Sequence, residues 1–184
     1  MQALGNIKSL FTLTADYQLN LAKWFLFLTI FSALGIALPC LCHEFGVAGK
    51  VFLPIHFAVM TAGMVMGMRG GLIVGLISPV LSFAISGVPP VASVFYMTVE
   101  VTTYGVVAGF VLHTLHKSAI VSLIVSLLAG RLVSLVMATL ILGRVGFSHQ
   151  LYKLFIIALP GIIIQLALIP PLLKVICSHL GKKE

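Results

Sequence analysis

Glu100 and Arg131 stand inside long apolar stretches of the chain. An ionisable side chain in hydrocarbon costs at least about 2.5–3.5 kcal/mol on insertion scales, so it faces a partner, a water-filled cavity or a ligand. Two chemistries fit the pair. A carboxylate and a guanidinium can lock one helix to another as a buried ion pair, and removing one member then costs about 3–5 kcal/mol. Alternatively, one or both bind a polar group of a solute. The readings are compatible, because pairing can orient one partner toward a ligand. Further groups could serve a solute. His43, His56 and Gln165 supply hydrogen bonds, and Phe83, Tyr96 and Tyr104 supply rings that can stack on a planar group.

Other chemistry finds little support. Cys40-Leu41-Cys42-His43 carries thiols and an imidazole, but no second ligand cluster accompanies it, so no metal site is expected. Of the six histidines only His56 falls within an apolar span, which argues against a haem held between helices. His113 and His116, next to Lys117, read as cations at a helix end. The chain has no G-x-x-x-x-G-K-[ST] loop, no H-E-x-x-H and no G-x-S-x-G. No enzymatic activity and no cofactor are expected.

The elements that must position these groups are membrane helices. The chain has 184 residues, 60% hydrophobic and 8% charged, with mean hydropathy +1.20. Soluble domains carry about 25% charged residues, which excludes that class. A net charge of +7 could suggest nucleic acid. The basic residues are scattered between apolar runs rather than clustered, so no nucleic-acid partner is expected. The start of the chain lacks the short apolar core and cleavage site of a signal peptide.

A spanning helix needs about 20 apolar residues. Six spans are expected, at about 21–42, 52–68, 72–86, 92–113, 118–142 and 152–177. The second and third are short and joined by a tight turn around Gly67-Met68-Arg69-Gly70-Gly71. The fold class is therefore an all-α, polytopic membrane bundle: one transmembrane domain over 1–184 after a short cytoplasmic segment, about 1–20. Lys8, Lys23, Arg69, Lys117, Lys174, Lys182 and Lys183 fall on one side, against Lys50, Arg144 and Lys153 on the other. By the positive-inside rule both termini are cytoplasmic.

Counting from span ends at 1.5 Å per residue puts Glu100 about 12 Å and Arg131 about 16 Å below the outer surface. Gln165 comes near mid-membrane, and His43 and His56 near outer ends. Polar groups thus gather in the outer half and middle, as in an outward-facing pocket. A channel would need them through the full depth. Ala33 and Ala37 form an A-x-x-x-A face on the first span, a small-residue surface suited to close helix contact, inside the bundle or with another membrane protein.

The order of short motifs resembles a known family. Leu53-Pro54-Ile55-His56-Phe57-Ala58-Val59 resembles an L-P-x-H-x-x-V segment. After it come Ala62-Gly63 into Gly67, Gly71 through Gly75, Ser78-Pro79-Val80-Leu81-Ser82 and Gly87-Val88-Pro89-Pro90. Glu100 with Tyr104-Gly105, Ala129-Gly130-Arg131, Leu159-Pro160-Gly161-Ile162 with Gln165, and Ile169-Pro170-Pro171 complete the pattern. With the A-x-x-x-A face, these resemble the S component of an energy-coupling factor (ECF) transporter, over nearly the whole chain.

The resemblance implies a six-helix bundle in a bacterial cell membrane that binds a vitamin or vitamin precursor from outside. Loop 43–51 would cap the pocket. A transmembrane coupling subunit and two ATPase subunits would supply energy, with Ala33 and Ala37 as the docking face. His43, His56, Phe83, Tyr96, Glu100, Tyr104, Arg131 and Gln165 would line the substrate site. Two other readings remain open on the residues: a self-sufficient small-solute transporter or channel, and a membrane scaffold without transport.

Overall fold

The computed structural model describes residues 19–44, 54–87, 89–152 and 158–180. Every regular element among them is helical: α1 (Leu21–Glu44), α2 (Pro54–Ser86), α3 (Val91–Gly109), α4 (Ala119–Tyr152) and α5 (Leu159–Leu180). Five helices contain stretches long and apolar enough to cross a membrane: Leu21–Leu41, Ile55–Ser86, Ser93–Thr114, Ala119–Ile141 and Leu159–Leu180.

Burial follows what lipid demands of a bundle. On α4 the inward face is small and polar, with Ala119, Ser122, Ser126, Gly130, Ser134 and Ala138 buried. Leu128, Leu132, Val136 and Leu140 are exposed on the opposite side. Leu123 and Leu127 join the buried side; lipid gives helices no hydrophobic reason to associate, so the small residues on that face let the neighbouring helices approach closely.

The second and third expected spans are one continuous element, α2, with a break at Gly67. Its backbone there (φ 77°, ψ −174°) belongs to a region open essentially to glycine alone. The glycine contacts show what the break does. Gly63 and Gly71 both lie against the backbone of Gly105 on α3, and Gly75 lies against Thr102. Residues eight apart on one straight helix stand about 12 Å apart and could not share one neighbour. The chain therefore reverses at Gly67. The arm before it runs parallel to α3 and the arm after it antiparallel.

Side chains on Gly105 would close this packing: a Cβ there would stand 2.7 Å from the Gly71 carbonyl oxygen and 2.8 Å from its Cα. Real Cβ contacts do not reach so close. The apolar stretch of α4, Ala119–Ile141, matches the span expected at about 118–142; the helix itself continues to Tyr152, and α5 begins at Leu159 rather than about 152. Hydropathy marks where polar residues begin, here Arg144, His149 and Gln150; a helix does not have to end there. Pro39, Pro79, Pro170 and Pro171 all lie inside helices.

One end of the bundle gathers the start of α1, the Gly67 reversal and the end of α3. A cleft of about 440 Å³ opens there, lined by Trp24, Met66, Met68, Arg69 and His113 among others. α3 passes into a π-turn over Phe110–Thr114. In an unbroken α2 the Met64 carbonyl would bond the amide of residue 68. Beside the break, His113 Nε2 donates to that carbonyl at 2.8 Å across the bundle. The carbonyl only accepts, so the proton sits on Nε2. His113 lies in the last turn of the π-helix, as expected for a helix-end residue, but it is half-buried and also bonds across the bundle to Met64.

Candidate functional site

Glu100 is the centre of a polar cluster that joins three helices. Buried on α3, its Oε1 accepts from the Tyr104 hydroxyl one turn along at 2.9 Å. The same oxygen accepts from Arg131 Nη1 on α4 at 3.3 Å, and Oε2 accepts from the Ser134 hydroxyl at 2.8 Å. From the first arm of α2, His56 places Nε2 3.8 Å from Oε1, within ion-pair range but beyond a hydrogen bond. Local periodicity explains the set. Residues three or four apart share a helix face, so Glu100 and Tyr104 meet on α3 while Arg131 and Ser134 meet on α4.

The Tyr104 ring is the wall behind the cluster. It is fully buried, and its centroid lies 5.1 Å from that of His56, tilted by 57°. The Arg131 guanidinium carbon stands 5.9 Å from the ring centroid, in cation–π range. Gly130 leaves the space the ring fills; any Cβ there would strike it.

Satisfaction is uneven among the buried polar groups, in the cluster and on α5. Both ring nitrogens of His56, Nε and Nη2 of Arg131, and both amide atoms of Gln165 are buried and find no hydrogen-bond partner among the described residues. Gln165 shares the buried face of α5 with Gly161, Ile169 and Leu173. Buried polar groups without partners are costly and uncommon in folded proteins. Such orphaned atoms suit a site that completes its hydrogen bonds with something other than protein.

The expected site residues divide accordingly. His56, Glu100, Tyr104 and Arg131 meet in one cluster. Tyr96 turns its hydroxyl to Ser93 on its own helix at 3.0 Å. Phe83 is half-buried on the second arm of α2. The His43 side chain and the 45–51 part of the expected lid lie outside the described residues. Ala33 and Ala37 are exposed on α1, whereas Gly35 between them packs on Ser78 of α2. Sequence reading missed Ser134; the signal available was a serine three residues after Arg131, in a row with Ser122 and Ser126. The open cleft at the Gly67 end is separate from this cluster: Glu100 lies thirteen residues before His113, roughly 20 Å along α3.

No protein-family model, no curated protein and no solved structure matches this chain.

Proposed function

We propose that this chain is the substrate-binding S component of an ECF-type transporter. It takes a vitamin-like solute from outside a bacterial cell membrane and passes it inward with a transmembrane coupling subunit and two ATPase subunits. The observation that carries the solute-binding part is the surplus of buried hydrogen-bonding atoms on His56, Arg131 and Gln165 that find no partner among the described residues. A purely structural ion pair needs no such surplus, and burying unmet donors in a lipid-embedded bundle disfavours the fold.

Two further features support the reading. The reversal at Gly67 divides α2 into two antiparallel arms, which supports a reading in which each arm crosses the membrane and the chain crosses six times. Lys23, Arg69 and Lys117 then share one side, which the positive-inside rule makes cytoplasmic. The exposure of Ala33 and Ala37 leaves a small-residue strip free for a coupling subunit.

The test is solute uptake by cells or proteoliposomes holding this chain with and without a coupling subunit and ATPases. Accumulation that requires the partners and ATP is the expected result. Equal uptake by the chain alone would reject energy coupling and leave a self-sufficient carrier or channel.

A further inference from the structure

We infer that the buried cluster grips its solute by a carboxylate, held on the Nε–Nη2 edge of Arg131. The inference rests on the solute-binding reading above and names the chemistry of that same site. Arg131 spends one nitrogen, Nη1, on Glu100. Its Nε and Nη2 are buried without a partner among the described residues. Those two nitrogens form one edge of the planar guanidinium, and their parallel N–H bonds match the two oxygens of a carboxylate.

Glu100 leaves this edge unfilled. Its Oε1 already accepts from Tyr104 and Arg131 Nη1, and its Oε2 from Ser134. The network therefore fixes the guanidinium from one side, with the Tyr104 ring near it, and leaves the other edge pre-oriented. A preset fork loses little freedom on binding, which favours affinity.

Charge chooses among anions. Glu100 shares the same guanidinium, so a dianionic phosphate would meet greater like-charge repulsion than a singly charged carboxylate. A cationic solute would have to compete with Arg131, Tyr104 and Ser134 for the Glu100 oxygens, which already accept three hydrogen bonds. His56 and Gln165 offer both donors and acceptors. They suit a neutral polar portion of the same solute, such as an amide or a ring nitrogen.

The experiment purifies wild-type protein and Arg131→Lys from membranes in parallel with a mock preparation from membranes lacking the protein. Small molecules released on denaturation are identified by mass spectrometry. Lysine keeps a cation beside Glu100 but has no planar fork. The expected result is a carboxylate-bearing solute enriched with wild type and reduced at least about tenfold with the variant. Binding of that solute and of its methyl ester to wild type is then compared, which holds even where the variant folds poorly. The ester, which cannot present an anion, binds more weakly if the inference is right. Equal binding of acid and ester, or an enriched solute with no acidic group, overturns the carboxylate grip while solute binding stands. No enriched solute at all overturns both.

Discussion

The Gly67–His113 end and the Glu100 cluster each place polar groups inside an apolar bundle, but they settle them differently. Next to the break at Gly67, the Met64 carbonyl accepts from His113 at 2.8 Å. Donor and acceptor both lie within the protein. Glu100 accepts three hydrogen bonds, while His56 and Arg131 beside it, and Gln165 on α5, keep buried atoms that find no hydrogen-bond partner among the described residues. A bundle that can answer one carbonyl from 49 residues away could have answered these too. The contrast separates polar groups that serve the fold from polar groups held ready for something else.

Substitutions can break or sharpen that contrast. Glu100→Ala has the largest expected effect. It strands the Arg131 guanidinium and removes the acceptor for Tyr104 and Ser134, so a loss of about 3–5 kcal/mol in stability is expected, read as thermal or denaturant unfolding in detergent. Survival of the variant at wild-type stability would show that the pair does not hold α3 to α4.

Gly67→Ala comes next. Forcing a Cβ into that backbone region costs about 1–3 kcal/mol. The same unfolding assay should show it, with the solute-binding affinity of the folded fraction unchanged. His113→Leu should cost a similar or somewhat smaller amount, about 1–3 kcal/mol, by leaving the Met64 carbonyl unpaired. Solute binding should again persist in the folded fraction. Were His113→Leu to abolish binding at full stability, the two regions would not be separate in function.

Gln165→Leu has the smallest expected effect on stability and is the most discriminating. Replacing an unpartnered buried amide by an apolar group of similar size should be neutral or slightly stabilising, within about 1 kcal/mol. Solute retention should nonetheless fall. Unchanged retention would remove Gln165 from the site.

Parts of this arrangement were legible from residue types. Long apolar runs announced membrane helices, and Gly67-Met68-Arg69-Gly70-Gly71 marked the turn where the chain reverses. Counting residues from span ends put Glu100 and Arg131 at similar depth on neighbouring helices, and the two do meet. The fifth span, expected at about 118–142, matches the apolar stretch Ala119–Ile141; that the helix itself runs on to Tyr152 was not legible, because hydropathy falls at Arg144 while helix geometry continues. Ser134 was passed over because a serine among apolar residues gives no signal until its neighbour across the helix interface is known. His113 was read only as an end cation for the same reason, since nothing near it in sequence points to Met64.

Hydropathy is a transfer free energy that each residue carries with it, so the sequence alone determined that this chain lives among lipid tails and that Glu100 and Arg131 need an explanation there. Hydrogen-bond satisfaction belongs to pairs of groups brought together across the bundle. Only the tertiary structure could decide that Glu100 accepts from Tyr104, Arg131 and Ser134, that His113 reaches Met64 beside the break in α2, and that Nε and Nη2 of Arg131 find no partner among the described residues.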